Sequence, residues 1–96
     1  MNLDQLIQSR RDEILQIATR NGAYNVRVFG SVVCGETRPD SDIDFLLNLE
    51  TGRSLLDLAH LLRELQILLG CPVDVITEAG LRPRIRPQVL KEARPL

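Results

Sequence analysis

The stretch between Ser54 and Gly70 limits most strongly what this chain can fold into. Leu58, Leu61, Leu62, Leu65, Leu68 and Leu69 recur at helical spacing and draw one apolar stripe. Ser54, with Asp57 three residues on, reads as a capping box in which Asp takes the place of Glu. Gly70 supplies a left-handed stop, and Pro72 cannot continue a helix. The pattern predicts a helix from Ser54 to Leu69 with a short alternating segment on either side. Before it, from Asp42 to Leu49, Ile43, Phe45, Leu47 and Leu49 point one way, and Asp42, Asp44, Leu46 and Asn48 the other. After it, from Pro72 to Ile76, Val73 and Val75 lie opposite Asp74.

The rest of the chain adds three elements. Leu3, Leu6, Ile7, Ile14, Ile17 and Ala18 trace a first helix over 3–20, which Asn21-Gly22 ends. Asn25 to Phe29 reads as a strand with Val26 and Val28 on one face and Arg27 and Phe29 on the other. A short helix is expected after Gly30. A last helix is expected from Pro83 or Arg84 to Ala93, with Ile85, Val89 and Leu90 facing inward. The order points to a single domain, residues 1–96, of the α/β (α+β) class. It would be a small mixed β-sheet of three or four strands with helices mainly on one face. The other face would carry the aspartates.

With 96 residues, there is room for one modest core, filled by Leu, Ile and Val because only Tyr24, Phe29 and Phe45 are aromatic. No apolar run approaches the roughly 20 residues of a membrane span. The charged, amphipathic start does not read as a signal peptide, so a cytoplasmic location is expected. Cys34 and Cys71 have no His or Cys at metal-ligand spacing and read as free thiols. Net charge is −1, yet residues 80–96 hold Arg82, Arg84, Arg86, Lys91 and Arg94 against Glu92. That basic segment has several readings: a solvated face, a contact to nucleotide phosphates, or a dock for an acidic partner. Nucleic-acid binding is the weakest of them, since aromatic platforms for stacking bases are missing.

Asp42 and Asp44 sit at i and i+2, so both carboxylates share a strand face. Asp74 lies in another apolar strand; if the two strands are neighbours, three carboxylates converge. Like charges that close repel, and a divalent cation with oxygen ligands removes the conflict. Gly30-Ser31 stands where a strand ends and a helix is expected to begin. A glycine there lets the backbone approach a phosphate, and the helix amides and Ser31 hydroxyl donate to it. A phosphate grip beside metal-binding carboxylates is the equipment of phosphoryl or nucleotidyl transfer.

The run Phe29-Gly30-Ser31, then Gly35, then Ser41-Asp42-Ile43-Asp44 resembles the signature of the DNA polymerase beta-type nucleotidyltransferase superfamily. With the first helix and Cys71-Pro72-Val73-Asp74-Val75, the chain resembles the minimal nucleotidyltransferase (MNT) antitoxins over nearly its whole length. The resemblance implies that Gly30 and Ser31, with Ser41, bind the triphosphate of ATP. It implies that Asp42 and Asp44 hold two Mg2+ ions. Asp74 would bind one of them and serve, or help, the base that activates the acceptor hydroxyl. It further implies an antitoxin that transfers AMP to a tyrosine of a cognate HEPN-domain ribonuclease toxin. One departure stands out: Cys34 replaces the arginine that the family carries before the second glycine, with Arg38 the nearby cation that could take its place.

Two rival readings follow. One is a non-catalytic antitoxin that acts by occupation, suggested by Cys34. The other is a nucleotidyltransferase for small molecules, which the absence of a helical substrate domain disfavours. Gly35 reads as a turn glycine, His60 as a solvated residue, and Tyr24 as packed or half exposed.

Overall fold

The computed structural model describes residues 3–29 and 43–96. Helix α1 is Leu3–Ser9, α2 is Arg11–Arg20, strand β1 is Ala23–Phe29 and β2 is Ile43–Leu49. Helix α3 follows at Leu55–Leu69, then β3 at Val73–Thr77 and a 3-10 turn at Glu78–Gly80. Helix α4, Arg86–Glu92, and the short strand β4, Arg94–Pro95, complete the described residues. The sheet order is β3-β2-β1-β4. β2 and β3 are parallel, and β1 is antiparallel to both β2 and β4. The sequence reading expects a mixed sheet of three or four strands; the sheet is mixed and has four, the fourth being the two-residue β4, which the sequence pattern does not signal.

One core lies between the sheet and the helices. Ile7 of α1, Ile14, Ile17 and Ala18 of α2, and Leu61, Leu65 and Leu69 of α3 pack with Val26, Val28, Ile43, Phe45, Leu47 and Val73. Leu58, Leu62 and Leu68 flank that cluster, so the predicted leucine stripe is the buried face of α3. The ends of α3 follow their sequence signals. Ser54 Oγ accepts from Leu56 N at 3.2 Å, and Asp57 Oδ2 accepts from Ser54 N at 3.0 Å. The amide hydrogen bond holds the Asp57 carboxyl below the usual range, against a smaller opposing effect of desolvation and with help from Arg53. Gly70, at φ +66°, closes the helix in the left-handed conformation. Ser54→Ala is expected to destabilise the domain by about 1 kcal/mol, measured by urea denaturation.

The expected single helix over 3–20 is two. Arg10 interrupts it at φ −111°, ψ 15°, and its amide is shared between the Leu6 and Ile7 carbonyls at 3.1 and 3.2 Å. Ser9 Oγ also donates to the Leu6 carbonyl at 2.8 Å, competing for the same acceptor. Polar residues at 8–13 leave no apolar stripe to hold the helix straight, while Ile7 and Ile14 on either side are fully buried. Strand β1 begins two residues earlier than the alternation predicts. A bulge between Tyr24 and Arg27, with Asn25 at φ 55°, resets the alternation so that Ala23, Val26 and Val28 all face the core. Gly22 makes the preceding turn: its φ is +76°, and a Cβ there would overlap the Arg53 side chain.

The last helix is shorter than expected. It starts at Arg86, and Ile85, expected inward, is 46% exposed. Pro83 and Pro87 restrict the backbone here, and α4 has no fully buried residue. The short helix expected after Gly30 lies outside the described residues. Among the described residues no helix is long and apolar enough to cross a membrane.

Candidate functional site

The strand alternation that buries Ile43, Phe45 and Leu47 turns Asp44, Leu46 and Asn48 to the other face of the sheet. On β3, Val73 faces the core and Asp74 is exposed on the opposite side. The parallel register sets Asp44 beside Asp74 and Leu46 beside Ile76. On the other side of β2, Phe29 is the partner of Asp44 and Arg27 the partner of Leu46. Two carboxylates separated in sequence by a whole helix therefore stand on adjacent strands at the same level, about 4.8 Å apart along the hydrogen-bonding direction.

Asp74 Oδ1 accepts from the Val75 amide at 3.0 Å. This fixes one oxygen, and among the described residues the other has no partner. Two hard oxygen donors at one level of a sheet fit a divalent cation of the magnesium type. Among the described residues there is no group of three or more potential ligands. The third aspartate of the sequence reading, Asp42, lies outside them, as do Gly30, Ser31, Cys34, Gly35, Arg38 and Ser41. The structure thus brings together Asp44 and Asp74 and places Phe29 and Ile43, the residues that bracket the remaining candidates.

Further along the same face is a network that sequence reasoning did not single out. Glu78 Oε2 accepts from Asn48 Nδ2 at 3.0 Å and from Arg27 Nη2 at 3.3 Å. Glu78 Oε1 accepts from Arg86 Nη2 at 3.3 Å, and its backbone carbonyl from Arg86 Nη1 at 3.0 Å. Arg27 Nη2 also donates to Asn48 Oδ1 at 2.9 Å. The one available signal was the placing of Arg27 and Asn48 at non-core positions of two strands. Next to this network Leu46 is fully buried, so the face expected to be open is covered there. Long side chains that pair above a sheet bury apolar surface with their stems.

The Asn48 hydrogen bond, then the Arg27 hydrogen bond and the Arg27 and Arg86 charges, pull the Glu78 pKa below its ordinary value, against desolvation. Glu64 is lowered likewise, first by Asn21 Nδ2 at 3.1 Å and then by Arg20, where α2 meets α3. A folded-state pKa below the unfolded one means that the unfolded chain binds more protons, so stability rises with pH in that window. The contribution is complete above the ordinary glutamate range, about pH 4.3, and is lost as pH falls through the lowered folded values. Melting temperatures from about pH 7 to 3 should fall steeply at the acid end, and Glu78→Gln should flatten that limb.

Comparison with known proteins identifies the family. The nucleotidyltransferase domain family matches residues 11–96. The protein adenylyltransferase MntA of Thermococcus cleftensis is 34% identical over 90 residues, covering 94% of this chain and 88% of that protein. A solved structure described as a "putative minimal nucleotidyltransferase" is 51% identical, with TM-score 0.89, covering 100% of this chain and 97% of the other. A toxin-antitoxin crystal structure with AMP-PNP shares the fold at TM-score 0.75 and 20% identity, covering 88% of this chain and 69% of the other. The chain belongs to the nucleotidyltransferase domain family, as a minimal nucleotidyltransferase and a homologue of the adenylyltransferase MntA.

Proposed function

We propose that this protein is an antitoxin that transfers AMP from ATP to a protein acceptor, a tyrosine of a cognate HEPN-domain ribonuclease, and thereby silences it. The observation that carries this reading is the register of Asp44 with Asp74 on adjacent parallel strands, facing away from the core. The homologous adenylyltransferase and the toxin-antitoxin complex that shares the fold support a protein acceptor and an adenine nucleotide donor; the tyrosine of a HEPN-domain ribonuclease rests on the family resemblance.

Asp44 and Asp74, with Asp42, would hold two Mg2+ ions, and Gly30, Ser31 and Ser41 would grip the triphosphate. When bound, the cations polarise the α-phosphate and neutralise charge on the departing pyrophosphate. The acceptor hydroxyl oxygen forms the new bond to the α-phosphorus while the bond from that phosphorus to the β-phosphate bridging oxygen breaks. Asp74 receives the hydroxyl proton on Oδ2, since Oδ1 is held by the Val75 amide. That amide fixes the side chain before substrate arrives, which lowers the ordering needed in the transition state.

The reaction is tested by incubating the chain, its co-expressed partner and Mg2+ with ATP labelled at the α- or the γ-phosphate. Label should reach the partner from the α-position only. Transfer of γ-label would make the enzyme a kinase, and transfer of neither would favour an antitoxin that acts by occupation.

A further inference from the structure

We infer that the basic segment 82–91 is the docking surface for an acidic face of the acceptor protein, an assignment that rests on the reading of the chain as a protein adenylyltransferase. Three observations carry it. The first is charge. Residues 80–96 hold five cations and one acid, a net charge of +4, on a chain of net charge −1. Among the described residues, the exposed Arg82, Arg84 and Lys91 make no hydrogen bond or ion pair through their side chains. Such cations retain their full field for a partner and contribute little to the fold.

The second is anchoring. The segment is tied to the sheet that carries the aspartates. Arg27 of β1 and Asn48 of β2 hold one oxygen of Glu78, and Arg86 holds the other oxygen and the Glu78 carbonyl. The Arg82 carbonyl accepts from the Ile85 and Arg86 amides at 3.1 and 3.0 Å, which fixes the turn that presents Arg82 and Arg84. Asn48 is four residues from Asp44 on the same strand face, about 13 Å along β2. One protein docked on this segment spans that distance readily, because a standard interface covers roughly 800 Å² on each partner.

The third is composition. Ile85, 46% exposed, stands between Arg84 and Arg86. An apolar side chain amid cations is the pattern of an interface centre with a charged rim, in which the rim sets orientation and association rate. The feature is local: Arg63, also an exposed cation, stands alone on α3.

The test uses two fluorescent peptides, each a tyrosine flanked by three residues on either side, all Glu in one and all Lys in the other. Binding is read by anisotropy at low and high salt, and AMP transfer by intact mass in the same samples. The Glu-flanked peptide should bind the whole chain at least tenfold more tightly than the Lys-flanked one and lose that advantage in high salt. R82E/R84E should abolish the preference while leaving the affinity for AMP-PNP unchanged. Among the described residues these side chains have no partner, so the variant should melt with the wild type. Equal binding of both peptides, or a preference that survives R82E/R84E, would overturn the assignment. So would a tenfold loss of AMP-PNP affinity in R82E/R84E, which would give the arginines to the nucleotide. Tighter competition by a single-stranded RNA of equal charge would likewise overturn it in favour of nucleic acid. Peptide bound as expected but never modified would count against the catalytic reading alone.

Discussion

Asp74→Asn, alone or with Asp44→Asn, is expected to lower AMP transfer on the order of 10³-fold and to leave the melting temperature unchanged or slightly raised. The two halves of this expectation have different causes. Asp44 and Asp74 are register partners on β2 and β3, and like charges directly opposite one another destabilise a sheet. Asparagine keeps the oxygen that accepts from the Val75 amide, so the local backbone has no reason to change. What is lost is a charged oxygen donor, and with it several kcal/mol of charge neutralisation in the transition state. A residue whose removal ends the chemistry while the fold stays intact is held for its chemistry. A variant that melts several degrees lower would instead make the aspartate a structural element.

Phe45→Ala should do the reverse of this and remove most of the stability. Phe45 is fully buried and is the largest side chain in the core, with Asp44 and Leu46 beside it on β2. Truncating a buried phenylalanine costs about 3–5 kcal/mol in transfer energy and cavity formation. Domains of this size have only roughly 5–15 kcal/mol in total. Thermal or urea unfolding should therefore show a large downward shift, with activity falling in proportion to the folded fraction. A loss below about 1.5 kcal/mol would mean that the neighbouring side chains close the cavity, contrary to a core as tightly fixed as the register implies.

The parts of the fold that were legible in the sequence are those set by local rules. Ser54, Asp57 and Gly70 bound α3 because capping acts within one turn, and the stripe Leu61, Leu65, Leu69 is the face that the structure buries. The alternation of β2 placed Asp44 correctly on the side away from the core. The parts that were not legible break the local period or depend on distant partners. The break at Arg10 follows from a shared carbonyl, and the bulge after Tyr24 from a left-handed Asn25. Period alone groups Leu46 with the wet face, yet it is fully buried next to a network formed by Arg27, Asn48 and Glu78. Nothing in spacing reveals that Glu78 meets Arg27 across 51 positions of chain. The same holds for the site: Asp74 joined Asp44 only on the condition that β2 and β3 are neighbours, and the parallel register meets that condition.

The measurement that tests the central claim most directly is the intact mass of the co-expressed partner, taken with wild-type chain and with the Asp44→Asn, Asp74→Asn double variant. The account predicts a partner heavier by one or more AMP units with the wild type, only when ATP and Mg2+ are present, and an unmodified partner with the variant. A partner that is modified equally in both, or that is neutralised without any gain in mass, would contradict it.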